Sequence, residues 1–143
     1  MKKTTIVGWR EWISLPELGI PRIKAKIDTG ARTSALHAFE VDSYKSKRGK
    51  RVRFYMHPYQ NNKEIIVECD AVIKDYRSVT DSGGHREKRY VIETELILGE
   101  NQWPIEITLT DRETMKFRML LGRTAMKGKR IVVDPGRSFL IGR

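Results

Sequence analysis

The chain has 143 residues, with 28 lysines and arginines against 18 aspartates and glutamates, a formal charge of +10, 39% hydrophobic residues and 32% charged ones. That length suits one domain, residues 1–143, and the charged fraction describes a soluble globular domain with a strongly charged surface rather than a disordered tail. A lone cysteine, Cys69, excludes an internal disulfide and a cysteine-based zinc site. Lys2 and Lys3 are followed by no apolar stretch of the secretory kind, and no apolar run approaches the roughly 20 residues of a membrane helix. The expected location is the cytoplasm, with no membrane contact. The charge favours polyanionic partners.

Period-two alternation runs through the chain and predicts strands. Pro16 and Pro21 divide the first segment into a strand, a turn and a strand, the second being Arg22–Ile27. Leu36–Val41 resumes the strand pattern, and Val52–Met56 repeats it. Ile65–Ile73 is a further strand, in which the alternation of Ile65, Val67 and Cys69 predicts a buried, inert thiol. Tyr90–Leu98 and Ile105–Thr110 flank the turn signal Gly99-Glu100-Asn101-Gln102 and predict a β-hairpin. Arg77–Lys88 reads as a long hairpin with a glycine tip at Gly83-Gly84. Phe117–Leu121 is a short strand closed by Gly122, followed by one helical turn over residues 123–127. Ile131–Val133 and Ser138–Ile141 read as closing strands about Asp134-Pro135-Gly136. Short strands, turns and almost no helix predict an all-β sandwich or barrel.

The sharpest feature is Ile27-Asp28-Thr29-Gly30-Ala31-Arg32-Thr33-Ser34. An acid ending an apolar strand, followed by a hydroxyl that can lock the loop and a glycine that permits close approach, can present one carboxylate rigidly in a cleft. The tripeptide alone reads more readily as an ordinary turn, since Asp and Gly favour turns and a three-residue match arises often by chance. Its context resembles the retropepsin-like aspartic peptidases. Leu120-Leu121-Gly122-Arg123 matches their second signature, and the glycine-tipped hairpin lies between the two, where that family places its flap. Three stretches, Lys26–His37, Arg77–Arg86 and Met119–Arg123, narrow the resemblance. They are similar to a bacterial family often labelled "ATP-dependent zinc protease", or RimK/LysX-associated. The resemblance implies a closed, acid-protease β-barrel and a peptidase acting on the glutamate tails that neighbouring ligases add to a ribosomal protein.

Aspartic peptidases need two close carboxylates sharing one proton. This chain has one Asp-Thr-Gly, so activity of that type predicts a symmetric homodimer joining Asp28 to its copy. Thr29 would brace the two loops, while Gly30 would let the backbone line the substrate. Ala31, Arg32, Gly83, Gly84, His85 and Arg123 are the candidate substrate contacts. Arg32 stands where the family usually has an acid; with Arg123 it would form a pair able to grip glutamate carboxylates. His37 is expected beside the active loop. His37, His57 and His85 form no zinc motif, and no Walker-type phosphate loop is present, so neither metal nor cofactor is expected. Lys45–Arg53, with six basic residues in nine, is a candidate for weak, non-specific RNA contact. Two other readings compete: a retropepsin-like module that grips an acidic protein or RNA without cleaving it, and a metallopeptidase that a chelator would silence.

Overall fold

The computed structural model describes residues 4–59, 62–80, 83–111 and 117–141. The elements in chain order are β1 (Thr5–Gly8), β2 (Arg10–Leu15), a 3-10 turn (Pro16–Leu18), β3 (Ile20–Asp28), β4 (Ser34–His37), β5 (Phe39–Ser46), β6 (Gly49–Met56), β7 (Val67–Thr80), β8 (Arg86–Leu98), β9 (Asn101–Thr110), β10 (Met119–Gly122), α1 (Arg123–Met126) and β11 (Ile131–Asp134). No helix of the described residues is long and apolar enough to cross a membrane.

Six strands in the order β2-β3-β10-β4-β9-β8 form a barrel, closed where Ser14 of β2 pairs with Ile97 of β8. β8 has its other partner, β7, along its first half, and β6 and β5 extend that side as a wing. β1 and β11 make a separate two-stranded parallel sheet. The alternation in the sequence explains the sidedness. Ile13 and Leu15 of β2, Ile23, Ala25 and Ile27 of β3, and Ile105, Ile107 and Leu109 of β9 all turn inward and are buried. The barrel core reaches continuously into the wing through Val52, Phe54, Met56 and Cys69. Burial pushes the Cys69 thiol up to about 12, with a smaller contribution from Glu68, so it stays protonated and inert.

The hairpin about Gly99-Glu100 forms as expected, with Leu98 opposite Asn101 and Gly99 in the left-handed region at φ 62°. Three expectations need correction. β7 begins at Val67, because its partner β6 ends in the pair Met56↔Val67; Ile65 and Ile66 lie outside it and are exposed. The Leu36–Val41 run divides at Ala38, where the chain leaves β9 for the wing. Ser138–Ile141 is no strand: β11 takes β1 as its partner, and the segment after it is tied down differently. Trp9 N–H donates to the Arg137 carbonyl at 2.8 Å, and Phe139 N–H donates to Arg10 at 3.0 Å. The fully buried Glu11 carboxylate then accepts from the N–H groups of Gly8 (2.6 Å), Leu140 (2.8 Å) and Ile141 (3.2 Å). One buried acid thus fixes both terminal segments to the barrel.

Candidate active site

Asp28 ends β3, and Ser34 begins β4. These two strands do not pair with each other; β10 lies between them, parallel to β3 with Gly122 opposite Asp28, and antiparallel to β4 with Leu120 opposite Ala35. The loop carrying Asp28 therefore arches over the end of β10. Gly122 is required there: a Cβ on it would lie 2.6 Å from the Thr33 carbonyl carbon and 2.7 Å from its oxygen.

Within the loop, Ala31 N–H closes a turn on the Asp28 carbonyl at 3.2 Å, and Gly30 N–H donates to Asp28 Oδ1 at 3.0 Å. The half-buried Asp28 carboxylate is thus oriented by backbone. Thr29 is exposed and its hydroxyl has no hydrogen bond to a described residue, so it does not lock the loop from within one chain. The first residues of α1 do that instead. Arg123 N–H donates to the Ala31 carbonyl at 2.9 Å, and its Nη1 reaches the Gly30 carbonyl at 3.3 Å. Thr124 donates to the Arg32 carbonyl from N–H at 3.2 Å and from Oγ1 at 2.8 Å.

Behind the loop, Ser34 Oγ accepts from Gly122 N–H at 3.0 Å, and Thr108 Oγ1 donates to the Ser34 carbonyl at 2.9 Å. The buried Arg89 of β8 donates to Thr108 Oγ1 at 3.3 Å and to Glu87 at 2.6 Å, and Thr110 Oγ1 donates to the same Glu87 oxygen at 2.7 Å. Partial burial raises the Glu87 carboxyl, but the Thr110 hydrogen bond and then Arg89 outweigh it, holding the group below the usual carboxylate range. Ser34, Thr108 and Thr124 carry no sequence signal beyond following the two motifs; their convergence depends on β10 entering between β3 and β4.

Arg32 and Arg123 are both exposed beside the loop, and neither forms an ion pair with a described residue. Gly83, Gly84 and His85 are exposed at the tip of the β7–β8 hairpin, beside Asp81 and Ser82, which lie outside the described residues. That hairpin pairs as far as Thr80↔Arg86, whereas β9 pairs with β8 only from Val91 onward, so its end projects as a two-stranded arm. His37 is not beside the loop. It ends β4 at the opposite end from Ser34, buried, with Nδ1 3.0 Å from Arg118 Nη1 and Nε2 3.6 Å from Asp111.

The zinc of the family label does not fit these residues. Among the described residues no group of three or more His, Cys, Asp or Glu could hold a metal. His37 is engaged by Arg118, and Cys69 is held as the thiol rather than the thiolate that binds metals.

Comparison with known proteins agrees with this architecture. A protein of Shewanella pealeana called "Probable alpha-L-glutamate ligase" is 47% identical over 96% of this chain. Those of Parasynechococcus marenigrum and Desulfotalea psychrophila, with the same name, are 46% and 42% identical over 99% and 96%. The chain spans only 29–30% of the length of these relatives. The crystal structure of Lpg0085 from Legionella pneumophila, a protein described as of unknown function (DUF785), superposes with a TM-score of 0.77 at 26% identity, covering 97% of this chain and 99% of that one. The model of the RimB-like family, described as "Retropepsin-like aspartic endopeptidase RimB", matches residues 6–143. With its closed barrel and its Asp-Thr-Gly loop over the Leu-Leu-Gly strand, this chain belongs to the RimB-like family of retropepsin-like proteins.

Proposed function

We propose that the chain is an aspartic-type peptidase whose reacting pair is Asp28 from each of two copies, acting on glutamate-rich protein segments. The observation that carries this reading is the presentation of one half-buried Asp28 on a loop clamped from behind by β10 and α1. Two such carboxylates at a two-fold axis would hold one proton between them. The ionised member would take a proton from water as that water attacks the scissile carbonyl, while the protonated member would donate to the carbonyl oxygen. The exposed Thr29 hydroxyl is available to brace the twin loop, and Gly30 and Ala31 would line the cleft. Gly83, Gly84 and His85 would cover it from the arm, and Arg32 with Arg123 would grip substrate carboxylates. If the target is ribosomal, Lys45, Lys47, Arg48 and Lys50 about the β5–β6 turn could add a weak, salt-sensitive RNA contact.

The ligase names of the relatives favour a second reading, in which this domain holds a glutamate-bearing segment without cutting it. Asp28→Asn separates the two. The peptidase reading expects cleavage of a glutamate-tailed peptide to fall at least about a thousandfold, with binding nearly unchanged. Equal cleavage by the variant would overturn it. Binding without cleavage by either protein would favour the module.

A further inference from the structure

β3 points Arg22, Lys24, Lys26 and finally Asp28 to one face, since its alternate residues Ile23, Ala25 and Ile27 are buried in the core. β2 adds Arg10 and Trp12 to the same face, opposite Lys26 and Lys24 in the register. The outward side chains of these two strands before Asp28 are therefore four cations, Trp12, Ser14 and Pro21, with no acid among them. None of the four cations forms an ion pair with a described residue. Aromatic rings hold three of them, Arg10 also lying 4.6 Å over Trp9. Trp12 stacks on Phe139 with centroids 5.9 Å apart; Arg22 lies 3.9 Å over Trp12, Lys24 sits 5.3 Å from Trp12 and 5.8 Å from Phe139, and Arg10 lies 5.0 Å from Phe139.

We infer that this face is a track for the acidic segment of a peptide substrate, leading along β3 to Asp28. The inference rests on the reading of Asp28 as the reacting carboxylate. Side chains two apart on a strand stand about 7 Å apart, so an extended acidic peptide presents alternate carboxylates at the repeat of Arg22, Lys24 and Lys26. Arg10, Arg22 and Lys24 are positioned in advance by the rings, which lowers the ordering cost of binding. The same rings argue against single-stranded nucleic acid: Trp12 is covered by Phe139 and Arg22 and offers bases no open stacking platform. Substrate length would then set affinity, because each added glutamate reaches a further cation.

The test uses the full chain and fluorescently labelled peptides ending in two, four or eight glutamates, with binding read by anisotropy and by Trp fluorescence. Wild type should bind the eight-glutamate peptide at least about tenfold more tightly than the two-glutamate one, and Lys24→Gln with Lys26→Gln should abolish most of that gain. An unchanged thermal midpoint shows that the variant folds. Equal binding of the eight-glutamate peptide by variant and wild type overturns the track. An eight-nucleotide RNA that binds wild type more tightly than the peptide, and loses this in the variant, overturns it in favour of nucleic acid. Cleavage assays on the same peptides keep the two readings apart. Cleavage without length dependence sinks the track and leaves the peptidase, while length-dependent binding without cleavage does the reverse.

Discussion

The rear of the Asp28 loop and the outer face of the wing are both polar, yet they are held by different physics. Behind the loop, Ser34, Thr108 and Arg89 are buried, and Gly122 meets Thr33 with no room for a methyl group. On the wing, Arg51 donates to Asp70 at 2.7 Å, Tyr44 hydrogen-bonds the same carboxylate, and Lys74 reaches Glu93 at 2.6 Å, all with partly exposed side chains. The distances are alike; the surroundings are not. A buried donor that loses its partner has no water to turn to, whereas an exposed ion pair exchanges readily with solvent and is screened by salt. The region that positions Asp28 is thus the stiff one, and the wing's ion pairs add little stability.

The largest break in that comparison comes from Gly122→Ala. With backbone atoms 2.6–3.0 Å from the new methyl, no flexible side chain can yield, and the loop or β10 must shift. A loss of about 3 kcal/mol in denaturant unfolding is expected, with cleavage reduced even in the fraction that folds. An unchanged unfolding midpoint would show that the loop is softer than described.

Ser34→Ala is next. It leaves Gly122 N–H buried without its acceptor, at an expected cost of about 1–3 kcal/mol. Ser34→Thr keeps the hydroxyl and should recover part of the loss. If the alanine and threonine variants are equally stable, the hydrogen bond is not what holds the strand end.

Smallest is the acid response of the wing. Partial burial raises the Asp70 carboxyl, but Tyr44 and then Arg51 outweigh it and hold the group below its ordinary value. A carboxylate depressed on folding contributes stability above its unfolded value of about 4, and loses it as pH falls through the lower folded value. Glu87 follows the same sign. Thermal midpoints should therefore fall below about pH 4, and Asp70→Asn should flatten that acid limb slightly. High salt should shrink the difference between variant and wild type. An identical acid limb in the variant would show that Asp70 is not the group responsible.

Much of the architecture was legible in the residues. Alternation marked β3, β8 and β9 because one face of each strand must meet the core, and Gly99 marked their hairpin because the turn needs a left-handed residue. Asp28-Thr29-Gly30 and Leu120-Leu121-Gly122 were legible as local patterns. Alternation failed at Ile65 and Ile66, which have the apolar pattern but no strand beside them. It failed again at Ser138–Ile141, where Glu11 supplies the acceptors that a neighbouring strand would have offered. The basic run at Lys45–Arg53 stands out in sequence, but the strands turn Lys45 and Lys50 to the face opposite Arg51 and Arg53, and Asp70 neutralises Arg51. The cations of β2 and β3 are scattered in sequence and gather only through the register Arg10↔Lys26 and Trp12↔Lys24.

By itself, the sequence determined which residues face inward, where the chain turns, and that a single carboxylate ends an apolar strand, because these depend on side-chain period and local backbone preference. Only the tertiary structure decided that β10 enters between β3 and β4, that Ser34, Thr108 and Thr124 brace the loop, that Glu11 ties down both terminal segments, and which cations share a face with Asp28. Those outcomes depend on contacts between residues up to 130 positions apart, which no local pattern encodes.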